Sequence, residues 1–105
     1  MTLSSPSDLH SAWARWFLSA LADSGLRDVI ISPGSRSTPL ALAAAESPRV
    51  RCLPVVDERV AAFVALGQAR ITGLPSMLLC TSGTAGAHYL PALIEASQAY
   101  IPVLV

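Results

Sequence analysis

Apolar residues recur at helical spacing in several stretches of the chain, and short apolar runs alternate with them. Leu9, Trp13, Trp16, Phe17, Ala20 and Leu21 fall near the i, i+3, i+4, i+7 positions of a first helix, which Ser7 or Asp8 can cap and Gly25 can stop. Two tryptophans on one helix face could stack on a ligand, but the commoner reason is a packed face, and that is the expectation. RDVII at 27–31 reads as a short buried strand. Thr38 followed by Pro39 predicts an N-cap with proline at the first helical position, leading LALAAAE. RCLPVV at 51–56 predicts a second strand, after which Asp57 caps the helix ERVAAFVALGQARI. Gly73 and Pro75 punctuate before a third strand, SMLLCT at 76–81. SGTAG then opens a fourth helix running to about Ala99, which Pro91 must kink or restart, and YIPVLV closes as a fourth strand.

This alternation of helix and strand, with strands apolar throughout, predicts an α/β fold built on an open parallel sheet with helices on both faces. No turn or helix follows the last strand. The chain therefore reads as the front part of a longer domain, truncated at its C-terminal end.

Composition narrows the picture. The 105 residues allow at most one small domain, yet 52% of them are hydrophobic. A mean hydropathy of +0.53 is high for so small a domain, and it points to core and interface. No apolar run reaches the roughly 18 residues a membrane helix needs. Net charge is zero, and all 7 basic residues are arginines scattered along the chain, so no basic stripe for nucleic acid exists. The N-terminus lacks the charged and apolar regions of a signal peptide, and the expected compartment is the cytoplasm. Cys52 and Cys80 have no metal-ligand spacing and read as buried, reduced thiols.

Three polar loops follow the first three predicted strands: SPGSRST, DER and TSGTAG. In an open parallel sheet, ligands gather outside the carboxyl ends of the strands, and all three loops fall there. SPGSRST puts Gly34, Ser35, Ser37 and Thr38 at a helix N-terminus, where N–H groups and the dipole favour anions. Arg36 adds a planar fork suited to a carboxylate or phosphate; the alternative is a capped turn with a solvated arginine. TSGTAG could cradle a phosphate but lacks the GK[ST] ending of a Walker loop. Glu58 either complements the dipole of its helix or, between two donor-rich loops, carries chemistry.

PGSRSTPLALAAAE, then DER with an apolar helix, then TSGTA with HYLPALIEA together resemble a known family. It is the 2-succinyl-5-enolpyruvyl-6-hydroxy-3-cyclohexene-1-carboxylate (SEPHCHC) synthases, thiamine-diphosphate enzymes of menaquinone biosynthesis. The resemblance runs from about Ser11 to Val105. SPGSRSTPL is specific to this family within its superfamily, whereas a strand-end glutamate is common to most members.

The resemblance implies a pyrimidine-binding domain here, with central and diphosphate-binding domains outside the chain. It implies that Glu58 hydrogen-bonds N1′ of the aminopyrimidine of thiamine diphosphate and so activates the cofactor. The family decarboxylates 2-oxoglutarate and adds the resulting enamine to isochorismate. Ser35 and Arg36 are then the clamp for a substrate carboxylate, and Thr81, Ser82 and Gly83 line the cofactor pocket. The Mg2+ and diphosphate ligands lie downstream, the active site forms between subunits of a homodimer or homotetramer, and the chain alone is expected to be inactive. Another thiamine enzyme, such as a 2-oxo acid decarboxylase, would keep Glu58 without needing SPGSRST. A non-enzymatic anion-binding module would use the two serine-glycine loops and leave Glu58 a helix-start charge.

Overall fold

The structure, a computed structural model, describes residues 5–105. The elements in chain order are α1 (Pro6–Asp23), β1 (Asp28–Ile31), α2 (Thr38–Glu46), β2 (Arg51–Pro54), α3 (Glu58–Thr72), β3 (Met77–Leu79) and α4 (Leu90–Ala99). Short 3₁₀-helices at Ser35–Ser37 and Gly83–Tyr89 precede α2 and α4. The strands form one parallel sheet in the order β2-β1-β3.

Side chains alternate across a strand, and that alternation assigns the helices to their faces. Val29, Met77 and Leu79 pack with Ala14 and Leu18 of α1 and Ala43 and Ala44 of α2. Ile30 and Leu78 point the other way, onto Ala61, Ala62 and Ala65 of α3 and Ala92 of α4. The predicted class, an open parallel sheet covered on both faces, is the one observed. At the sheet's entry Arg51 donates from Nε to Asp28 Oδ1 at 2.8 Å, a cross-strand pair between residues in register.

Several local expectations are corrected. Ser5, not Ser7 or Asp8, caps α1: its hydroxyl accepts from the Asp8 N–H at 3.2 Å, and Pro6 takes the first helical position, where no N–H is needed. The aromatic face of α1 is not packed. Trp13 is 53% and Trp16 66% exposed, while the buried residues are Ala12, Ala14 and Leu18. Close approach to α2 selects alanine on both helices, and Trp13 stacks instead on Phe17 at 5.1 Å.

The run at 51–56 pairs only to Pro54 and is largely exposed, because β2 is an edge strand and proline brings no N–H to a ladder. The Cys52 and Cys80 thiols are free but half-buried, and burial pushes the Cys52 thiol pKa up. Thr38 does not cap α2, since its hydroxyl donates to the Ser35 carbonyl at 2.7 Å.

The predicted fourth helix divides: SGTAG opens the 3₁₀ segment, and α4 restarts at Leu90 with Pro91 in its first turn. A continuous helix would set the proline ring against the carbonyl one turn back. The fourth strand is reduced to a parallel bridge between Met77 and Leu104. Pro102 has no N–H to donate, so pairing begins beyond it: Leu104 accepts from Leu78 N–H at 2.7 Å and donates to Ser76 O at 3.1 Å.

Asp57 caps α3 as expected, accepting from Val60 N–H at 3.1 Å, and Gly73 ends that helix at φ 75. Among the described residues no helix is long and apolar enough to cross a membrane. Asp57→Ala should cost about 1 kcal/mol of stability, the usual worth of such a cap, and Asp57→Asn should retain most of it. Equilibrium urea unfolding of the two variants against the parent checks this.

Candidate functional site at the strand ends

The carboxyl ends of the three strands are tied together by backbone and by one buried serine. Ser32 donates from its N–H to Leu79 O at 2.9 Å, joining β1 to β3. Val55 N–H donates to Ile31 O at 2.9 Å, and the Ser32 hydroxyl donates to Val55 O at 2.8 Å, joining β1 to β2. Ser32 is fully buried, so these bonds satisfy polar atoms that water cannot reach. Two residues past Val55, Asp57 and Glu58 begin α3 from this fixed point.

The first and third loops touch directly. A Cβ on Gly34 would lie 2.3 Å from Thr81 Cβ and 2.7 Å from its Cγ2. Gly34 is extended, with φ −175, so glycine is required there by the neighbour and not by the backbone. Ser37 Oγ donates to Gly34 O at 3.0 Å. With Thr38 bonded to Ser35 O, two of the hydroxyl protons expected to meet an anion already hold the loop's own shape. Ser35 and Arg36 are exposed. Arg36 makes no ion pair among the described residues, and it lines a cavity of about 230 Å³ with His10, Trp13, Ser37, Pro39 and Leu40.

On the other face of the sheet, Glu58 is half-buried at the first position of α3, where its charge also complements the helix dipole. Ser82 and Gly83 are exposed at the start of the 3₁₀ segment, with Gly83 at φ 85, and Thr81 is half-buried against Gly34. The structure thus joins Gly34 to Thr81 and brings Glu58 to the end of the β1–β2 pair. Arg36 precedes α2 and Glu58 opens α3, helices that cover opposite faces, and no hydrogen bond or ion pair links them. No group of three or more His, Cys, Asp or Glu side chains among the described residues could hold a metal ion.

One residue of this region was not legible as a site residue. Tyr89 ends the 3₁₀ segment, is 0% exposed, and buries its hydroxyl with no hydrogen-bond partner among the described residues. Its phenol pKa is raised above the ordinary tyrosine range by burial first, then by Cys80 and the charge of Glu58, while Ser32 acts in the opposite direction. The sequence signal was only an aromatic residue in an apolar stretch, which any core position could explain.

Comparison with known proteins identifies the family of this domain. The family model described as thiamine pyrophosphate enzyme, N-terminal TPP binding domain, matches residues 12–105. The chain is 66% identical over 98 residues to a 2-succinyl-5-enolpyruvyl-6-hydroxy-3-cyclohexene-1-carboxylate synthase of Sorangium cellulosum (strain So ce56), covering 93% of this chain and 16% of that protein. Proteins with the same name from Thermosynechococcus vestitus (strain NIES-2133 / IAM M-273 / BP-1) and Haloquadratum walsbyi (strain DSM 16790 / HBSQ001) are 52% and 54% identical. They cover 93% and 91% of this chain and 17% and 16% of their own lengths. The chain therefore spans about one sixth of the curated relatives it matches.

The contact between the loops makes a steric prediction. Gly34→Ala should destabilise the full-length protein by about 1–3 kcal/mol, as overpacking does. Thr81→Gly in the same protein should recover part of the loss, whereas Thr81→Ser should not, because the nearest clash is with Cβ itself. Urea unfolding of the single and double variants measures this.

Proposed function

The chain belongs to the thiamine pyrophosphate enzyme family, as its N-terminal TPP-binding domain, and on that premise we propose that it provides the pyrimidine-binding part of a SEPHCHC synthase. The full-length protein would then be a thiamine-diphosphate-dependent transferase of menaquinone biosynthesis, acting on 2-oxoglutarate and isochorismate. The relatives' shared name and the intact SPGSRSTPL loop support this choice over other thiamine enzymes. When bound, thiamine diphosphate would supply the nucleophilic and electron-accepting chemistry needed to decarboxylate a 2-oxo acid and transfer the remaining fragment.

The residues present suit the pyrimidine end of that cofactor. The observation that carries the reading is Glu58: a half-buried carboxyl at the carboxyl end of the sheet, on a helix start held in place by the Ser32–Val55 bond. In this reading Glu58 shares a proton with N1′ of the aminopyrimidine, which a half-buried carboxyl at a helix start anchored to the sheet can do. Thr81, Ser82 and Gly83 line the pocket, and the missing Cβ at Gly34 lets the first loop close against the third. Ser35 and Arg36, exposed and with no ion pair to Arg36 among the described residues, bind a substrate carboxylate. The donor set does not suit the other end of the cofactor, since no cluster of metal-binding side chains is formed among the described residues. The diphosphate and magnesium are assigned to domains beyond this chain, with the site completed between subunits of a homodimer or homotetramer.

Glu58→Gln in the full-length protein should still bind thiamine diphosphate but lose about 10² to 10⁴ in turnover, the worth of a positioned acid–base group. The exchange rate of the cofactor's C2 proton, read by NMR after acid quench, decides the matter: exchange at the parental rate removes Glu58 from the mechanism. Arg36→Ala should weaken use of substrate about tenfold to a hundredfold with cofactor binding unchanged, as loss of a charge-assisted bidentate contact does. Lysine at 36 should rescue only part, lacking two parallel donors. Unchanged steady-state kinetics in Arg36→Ala would return that residue to a solvated loop.

A further inference from the structure

Threonine has three side-chain heavy atoms, and at Thr81 all three lie against the first loop. A Cβ on Gly34 would stand 2.3 Å from Thr81 Cβ, 2.7 Å from Cγ2 and 2.9 Å from Oγ1. One bond separates such a Cβ from its Cα, so Thr81 touches the Gly34 backbone itself. Thr81 is half-buried in this position.

The chain on either side of Gly34 is already fixed. Upstream, Ser32 is held to β3 by its N–H on Leu79 O at 2.9 Å, and to the segment after β2 by its hydroxyl on Val55 O at 2.8 Å. Downstream, Ser35–Ser37 form one 3₁₀ turn with Arg36 at its middle. Ser37 Oγ donating to Gly34 O at 3.0 Å and Thr38 Oγ1 donating to Ser35 O at 2.7 Å brace that turn. Between the two fixed parts lie Pro33, whose ring holds φ, and Gly34, whose backbone is the least restricted of any residue type. Gly34 sits at φ −175 and ψ 150, a conformation that its own sterics do not enforce. The joint that aims the turn is therefore held from outside, by Thr81.

We propose that Thr81 is a positioning residue for the Ser35–Arg36 turn: its branched side chain is the stop on which the Gly34 joint rests, and it sets where Arg36 meets a substrate carboxylate. The proposal deepens the clamp role given to Arg36 above and rests on that reading for its kinetic consequence, though not for the restraint on the loop. A guanidinium makes two parallel bonds to a carboxylate only when its fork is aligned, so a turn that swings loses the contact. The Thr81 side chain then serves the substrate loop, and its backbone is left to line the cofactor pocket.

Hydrogen exchange and steady-state kinetics on the full-length protein test it. In the cofactor-free protein, Thr81→Ala should speed amide exchange over residues 34–38 about twofold to tenfold, the range for deleting a buried methyl group, with α1 unchanged. In the loaded protein the same variant should raise KM by a similar factor, for the substrate whose KM rises in Arg36→Ala. The dissociation constant of thiamine diphosphate should hold, and Thr81→Ala should add nothing on top of Arg36→Ala. Thr81→Val keeps the branched shape without the hydroxyl and should recover most of both losses. Thr81→Ser keeps the hydroxyl without the methyl and should follow alanine. Parental exchange over 34–38 in Thr81→Ala, or a rise spread equally through α1, overturns the proposal. So does weakened cofactor binding with substrate KM unchanged, which makes the side chain a cofactor contact, and so does rescue by serine but not by valine. If Arg36→Ala leaves the kinetics at the parental level, the clamp reading fails, and exchange over 34–38 alone decides the restraint.

Discussion

Ser32 carries the constraint on which the site end of this molecule depends. It follows the last residue of the central strand, is fully buried, and must therefore find partners for its polar atoms within the protein. Its N–H goes to the strand on one side and its hydroxyl to the carbonyl of Val55 on the other. Because Val55 is two residues from the Asp57 cap, the start of α3 and the position of Glu58 follow from that bond. A site assembled from loops gains rigidity when the loops leave from one hydrogen-bonded point, and the carboxyl ends of parallel strands offer such a point.

Packing in the rest of the fold obeys a related demand for closeness. The helices meet the sheet and each other through alanines, at Ala14, Ala43 and Ala44 on one face and Ala61, Ala62, Ala65 and Ala92 on the other. Small residues let backbones approach, and larger apolar side chains are displaced outward. Trp13, Trp16, Ile71 and Leu90 stay exposed, despite their chemistry. The high mean hydropathy is thus divided between an alanine-rich interior and an apolar surface. The same closeness recurs at the loops, where Gly34 meets Thr81 with no space for a Cβ.

Much of the fold was legible along the chain because its signals are local. Asp57 before an amphipathic run, Gly73 after it, and short apolar runs between helices each act over a few residues, and the α/β class followed from their order. The same locality placed Ser35, Arg36, Thr81, Ser82 and Gly83 on loops, and Glu58 on a helix start, at one end of a parallel sheet. It failed where two local readings were both sound. Ser5 outdid Ser7 and Asp8 because Pro6 prefers the first helical position, and the segment before Pro91 turned 3₁₀ because a ring there forbids a continuous helix.

The linear pattern therefore carried the element types, the parallel order and the end of the sheet where polar groups collect, since each depends on spacing or on a rule of chain connection. Contacts between distant segments carried the rest. Which face of α1 is inside was decided by the fit against α2, which admits alanine and excludes indole. That β2 lies at the edge, and that the closing segment pairs only at Leu104, follows from which backbone groups had partners left to meet. Tyr89 clustered with Ala61, Ala62 and Ala65 is the sharpest case, because Tyr89 lies far from these alanines along the chain and only the packing of α3 over the 3₁₀ segment brings them together. No periodicity encodes such a meeting. It arises when two amphipathic faces close on the same strand and shut a polar atom away from water.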